Sequence, residues 1–208
     1  MPINPADITI HPFSFVNTTV NTIMTGHLSG QLFPQKAFRA IIVDSEQLIK
    51  NLCKQFQHGS RSNRETSIPV INDDCLMASI RNNVGYIIEN TVQQNNMIVS
   101  DLCNMGKINL LLSTFSVRNY PITGIREIYL TRIPFENNNT PDLNKIAQIV
   151  NKVGGQSGMS CRIYAERKYV DLVHKALELT PEEYNVDPDE GGIITEIAKD
   201  LFKAILKK

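Results

Sequence analysis

Between Asn96 and Ile133 the apolar positions of the chain fall at the spacing of β-strands. In the run Ile108 to Val117, one face carries Ile108, Leu110, Leu112, Thr114 and Ser116. The other carries Asn109, Leu111, Ser113, Phe115 and Val117. Apolar side chains on both faces predict a central strand covered on both sides. From Ile125 to Ile133, Glu127, Tyr129 and Thr131 alternate with Arg126, Ile128, Leu130 and Arg132, a mixed pattern that suits an edge or half-exposed strand. The segment beginning at Met97 reads as a strand before these two. Asn104-Met105-Gly106 supplies a turn, since Asn and Gly tolerate positive φ. Tyr120 to Gly124 supplies a longer connection, and Pro134 removes a ladder donor and stops the last strand. The pattern predicts three antiparallel strands on which the remaining segments pack.

Upstream, Ile8-Thr9-Ile10 and Phe13 to Val16 alternate briefly and predict one or two short strands. Thr25 to Gly30 reads as a loop. From Gln35 to Phe56 the spacing becomes helical: Phe38, Ile41, Ile42, Leu48, Ile49, Leu52, Cys53 and Phe56 form one stripe. Lys36, Arg39, Glu46, Lys50 and Lys54 fall mostly on the other side, with Pro34 before the start and Gly59 past the end. His58 to Ser67 is a polar connection with Arg61 and Arg64, read as solvated rather than as a phosphate contact. Asn72-Asp73-Asp74 offers a helix cap. The stripe Leu76, Ile80, Val84, Ile87, Ile88 and Thr91 then predicts one helix as far as Gln94.

Downstream, Phe135 to Thr140 marks a boundary. Thr140 caps a helix with Pro141 in its first turn, Leu143, Ile146, Ala147, Val150 and Val153 form its stripe, and Gly154 ends it. Gly154 to Gly158 lacks the Gly-Lys-Ser/Thr ending of a phosphate-cradling loop and reads as a linker. Cys161 to Tyr164 leads into a helix through Lys168, Val170, Leu172, Val173, Ala176 and Leu177. Thr180 to Glu183 has a capping-box start, and Asp187 to Gly192 is a turn. A last amphipathic helix spans Ile193 to Leu206, with Ile194, Ile197, Ala198, Leu201, Ala204 and Ile205 on one face. The expected fold class is α+β: residues 1–136 form a domain around a small antiparallel β-sheet with packed helices, and residues 137–208 form a helical C-terminal extension.

Composition narrows the function more than it names one. The formal net charge is +0 over 208 residues, so nothing steers the whole molecule toward nucleic acid or an anionic membrane. Trp is absent, and the surface is poor in stacking platforms. The opening residues lack the pattern of a signal peptide, and no apolar run is long enough for a membrane span. A reducing cytoplasm is therefore the expected place of synthesis. Cys53, Cys75, Cys103 and Cys161 are scattered through apolar runs and read as small buried hydrophobes.

No motif carries catalytic chemistry. His11 and His27 have no acidic neighbours, and His174 shares a helical face with Asp171 and Glu178, where surface pairing accounts for it. Asp73-Asp74 and Glu182-Glu183 sit at helix starts, where capping explains them. Asp187 to Gly192 lacks the alternating acids of a calcium loop. The sequence thus assigns no catalytic, cofactor-binding or metal-binding residue, no cofactor and no small-molecule substrate.

Three stretches, Ile98 to Leu102, Gly106 to Val117 and Thr123 to Leu130, following a helix from Asp74, resemble the Dit-like domains of bacteriophage tail and baseplate proteins. The resemblance covers roughly residues 74–133. A strand of the kind Asn109 to Ser116, the Thr123-Gly124 turn and the alternating strand Ile125 to Leu130 carry it. The family's His-Pro opening is represented at best by His11-Pro12 and Gly26-His27, and the region after Thr140 has no counterpart. The resemblance implies a non-enzymatic structural subunit, a virion component that contacts other protein subunits and binds no nucleic acid. The alternative is a cytoplasmic adaptor or chaperone-like protein-binding module, and an enzyme comes third.

Overall fold

The computed structural model describes residues 7–14, 20, 22, 37–57, 71–154 and 160–179. Its organising element is a six-stranded sheet in which every pairing is parallel. The strands are β1 (Ile8–Phe13), β2 (Arg39–Ile42), β3 (Val84–Ile87), β4 (Leu110–Ser113), β5 (Glu127–Leu130) and β6 (Cys161–Glu166), in the order β1-β6-β5-β2-β4-β3. The helices are α1 (Glu46–Lys54), α2 (Asp74–Ile80), α3 (Gln93–Asn104), α4 (Leu143–Val150) and α5 (Val170–Glu178). Every residue of β2, β3, β4 and β5 is buried. Burial on both faces is what a parallel sheet between helix layers requires. β6 alternates, because one of its faces is more open.

The direction of each connection assigns the layers. From β2 the chain moves past β4 to β3, while from β3, β4 and β5 it moves back the other way. Right-handed crossovers then put α1 and α2 on one face of the sheet, and α3, the 3-10 turn Phe115–Asn119 and α4 on the other. The packing agrees: α1 meets α2, and α4 meets both the 3-10 turn and α5. The compact unit holding the sheet extends over Met1–Glu178, and Leu179–Lys208 forms a separate unit.

The expected antiparallel α+β fold is therefore corrected to a parallel α/β fold. The stretch from Met97 is not a strand but part of α3. Its buried positions Asn95, Asn96, Val99, Ser100, Leu102 and Cys103 recur at helical spacing, whereas Met97, Asp101 and Asn104 face outward. A short apolar run such as Met97-Ile98-Val99 fits either period, and flanking residues decide it. Asn104-Met105-Gly106 does turn the chain, with Gly106 at φ +68°, but it closes a helix rather than a hairpin. β4 and β5 do not pair, because β2 lies between them.

Three more segments split where one element was expected. Gln35 to Phe56 is β2 followed by α1, with Ser45 as the α1 cap. The stripe from Asp74 to Gln94 is α2, then a reversal through Asn83 at φ +61°, then β3. Cys161 to Glu166 is a strand, inserted between β1 and β5, so the C-terminal half is not purely helical. In each case the apolar residues form a short run that helical and strand periods both accommodate. Asp73 caps α2 as expected, and Gly154, at φ +102°, follows α4. The α4 cap is Asp142, two residues after Thr140. The expectations for Thr25 to Gly30 with His27, Pro34, His58 to Ser67, Gly155 to Gly158 and everything from Thr180 onward lie outside the described residues.

Candidate functional site

In an open parallel sheet the place where neighbouring strands send their connections in opposite directions leaves a crevice at the carboxyl edge. Here that point lies between β2, which leads toward β3, and β5, which leads toward β6. Its walls are Val43-Asp44-Ser45 after β2 and Thr131-Arg132-Ile133 after β5, with Thr114 to Asn119 after β4 beside them.

The hydroxyl groups at this edge are committed to partners within the fold. Ser45 Oγ accepts the Leu48 amide at 3.2 Å and caps α1. Thr131 Oγ1 donates to the Ile42 carbonyl at 2.8 Å, and Ser113 Oγ donates to the Ile87 carbonyl at 2.9 Å. Thr114 and Ser116 share a hydroxyl–hydroxyl hydrogen bond of 2.8 Å, and Thr114 Oγ1 also accepts the Ser116 amide. These side chains extend the strand ladder and cap the turns and helix beyond it. Each is already occupied by a structural partner.

The groups that do face solvent there are charged or apolar. Asp44 and Arg132 approach across the switch point, with Nε 3.7 Å from Oδ2, and their side chains are 57% and 53% exposed. At that exposure the pair is screened and contributes little to stability. Glu46 Oε1 accepts the Asn90 amide at 2.8 Å, which ties the loop after β3 to α1. Val92, on that loop, is 60% exposed, and Phe135, in the segment after β5, is 43% exposed. Phe135 is held by its bridge to Pro141, at the stem of a turn closed by Glu136 and Thr140. β5 and β3 are three strand spacings apart, about 14 Å.

A second constellation occupies the amino half of the sheet. Thr9, Arg162, Glu127 and Arg39 are register neighbours across β1, β6, β5 and β2. Glu127 is buried and meets Arg39 at 2.6 Å on one side and Arg162 at 3.4 Å on the other. One pleat further along, His11, Tyr164 and Tyr129 form a stacked row, with centroids 5.3 Å and 4.6 Å apart. Phe13 packs edge-on against both tyrosines. Burial, then the charge of Glu127, pushes the Tyr129 hydroxyl above its ordinary range. The row is a cross-strand ladder of the kind that stabilises sheets. This cluster was not legible in the sequence, since its members come from four separate segments. The shared signal is period-two phase: Thr9-x-His11-x-Phe13, Arg39-x-Ile41, Glu127-x-Tyr129 and Arg162-x-Tyr164.

Among the described residues, the structure does not bring the remaining chemistry-bearing side chains together. His11 lies in the edge strand β1, hydrogen-bonded to Thr9, and His174 is exposed on α5. The four cysteines form no disulfide with one another; Cys53, Cys103 and Cys161 are buried, Cys75 is half-buried, and burial raises the pKa of each. Among the described residues no group of three His, Cys, Asp or Glu side chains could hold a metal ion, and no helix is long and apolar enough to cross a membrane.

No family model and no curated protein matches the chain. Among the solved structures similar to it, one is the C-terminal domain of the DEAD-box protein Dbp5, at 12% identity over 82% of this chain and 81% of that chain, with a TM-score of 0.49. Another is a variant of the S. cerevisiae Dbp5 C-terminal domain bound to a Gle1 variant and IP6, at 13% identity over 78% and 79%, with a TM-score of 0.47. The all-parallel sheet removes the antiparallel layout that carried the resemblance to Dit-like domains. The expectation of a phage structural subunit and virion component is overturned.

Proposed function

We propose that this chain is a non-catalytic protein-recognition domain that presents the carboxyl edge of its sheet to another polypeptide. The observation that carries the reading is the state of the switch point. Its hydroxyls are tied to backbone partners, whereas an arginine, a rigidly held phenylalanine and a valine stand exposed around it. Catalysis needs a nucleophile and a base free to exchange protons, and the hydroxyls here already donate to carbonyls, cap amides or bond one another. Recognition instead needs exposed aromatic and arginine anchors, which concentrate binding energy at protein interfaces. A reducing compartment belongs to the same proposal, supported by four cysteines that form no disulfide with one another.

The test places a photo-crosslinking amino acid at Phe135 in the full chain, within extract of the source cells. One discrete protein adduct that Arg132→Glu abolishes supports the reading. In parallel, millimolar nucleoside triphosphate with Mg²⁺ should leave the melting temperature unchanged. Saturable triphosphate hydrolysis lost in Asp44→Asn would replace this proposal with an enzymatic one.

A further inference from the structure

We propose that Lys152 is an acylation site: its amine is held beyond the end of α4 by one backbone carbonyl, faces no carboxylate among the described residues, and takes an acyl group from an activated donor of the acyl phosphate class. Lys152 Nζ donates to the Tyr120 carbonyl oxygen at 2.6 Å. The side chain is half-buried, and its backbone continues the turn that closes α4, with the Lys152 amide on the Ile149 carbonyl. The exposed residues Asn151, Pro121 and Thr123 surround it in sequence and on the facing loop, so a small reagent can approach. That loop is fixed from its other side by Asn104, whose side chain binds the Pro121 carbonyl and the Thr123 amide.

The type of partner matters. A carboxylate holds a lysine as ammonium, because losing the proton loses the ion pair. A carbonyl accepts an N–H bond from the ammonium and from the neutral amine alike. Deprotonated Lys152 therefore keeps its bond to Tyr120, and its lone pair points away from that carbonyl. Burial without a counter-charge also brings its pKa down to about 8. Other lysines in the same fold contrast with it. Lys168 is exposed, lies 2.8 Å from Glu166 and is shifted upward, and Lys145 lies 3.3 Å from Asp142.

In the reaction the neutral amine attacks the carbonyl carbon of the acyl phosphate. A C–N bond forms and the C–O bond to phosphorus oxygen breaks. Phosphate leaves with the electron pair, and the nitrogen proton passes to solvent. The product is an amide, which removes a half-buried charge from the fold.

The experiment treats the full chain with limiting acetyl phosphate at several pH values and follows each lysine by peptide mass spectrometry. Lys152 should acquire acetyl roughly tenfold faster than Lys168 at neutral pH, because a pKa of about 8 in place of 10.5 enlarges its free-base fraction over a hundredfold while lower basicity and partial burial take back part of that gain. Its rate should level off above about pH 8, where the rate of Lys168, held upward by its bond to Glu166, still climbs. A Lys152 rate at or below that of Lys168, or a rate that climbs in parallel with it through pH 9, overturns the assignment.

Discussion

Arg39 and Glu127 stand opposite each other in adjacent parallel strands, with Arg39 Nε 2.6 Å from Glu127 Oε2 and both side chains buried. Arg162 approaches the other carboxylate oxygen from β6, half in solvent. One carboxylate thus bridges three neighbouring strands. A strand register shifted by one residue would send Arg39 or Glu127 to the opposite, apolar face, which makes this pair a register lock for the sheet.

Glu127→Ala should cost about 3–5 kcal/mol, because it removes the buried carboxylate that faces the Arg39 guanidinium. Replacing both members, as Arg39→Met with Glu127→Leu, should lose much less, since neither charge is then buried. Urea denaturation of the two variants checks this. A double variant no more stable than Glu127→Ala would show that the pair does more than neutralise itself.

Lys152 links stability to pH. Its folded pKa, about 8, lies below the ordinary 10.5, so between those values the unfolded chain binds more protons than the folded one. Stability therefore rises with pH across that window, and the contribution present above 10.5 is lost as pH falls through 8. Lys152→Met should stabilise the fold at pH 7 by about 1–2 kcal/mol, less than the full shift implies because the Tyr120 carbonyl loses its donor. The advantage should vanish by pH 10.5. Melting curves of both proteins from pH 7 to 10.5 measure it.

Gly85 of β3 packs closely against Val99 of α3 and against Ile108. A Cβ there would stand 2.6 Å from Ile108 Cδ1 and 3.0 Å from Val99 Cγ1. Gly85→Ala should destabilise by about 1–3 kcal/mol through overpacking. Adding Ile108→Val removes the nearer methyl and should restore part of the loss relative to the sum of the single changes. Additive losses in a thermal or urea melt would contradict the contact.

Asp73 serves two partners with two oxygens. Oδ1 accepts the Leu76 amide and caps α2, and Oδ2 accepts the Tyr86 hydroxyl. Asp73→Asn keeps the cap and loses the second acceptor, at about 1–2 kcal/mol, while Asp73→Ala loses both, at about 2–4 kcal/mol. Equal losses for the two variants, read from urea melts, would show that the cap contributes nothing.

The part of this fold legible in the sequence is local. Asp73 before α2, Gly154 after α4, the helical stripe of α4 and the extended start at Ile8 come from capping chemistry, positive φ and short-range periodicity, all properties of neighbouring residues. The Ile108 to Val117 pattern also identified a strand buried on both faces, and β4 is one. Whether that strand runs parallel or antiparallel to its neighbours is not a local property. Long-range packing placed β2 between β4 and β5, turned the Met97 segment into α3, and set Glu127 between Arg39 and Arg162. A four-residue apolar run satisfies either period, so its backbone groups choose a ladder or a helix according to which surfaces the distant segments cover.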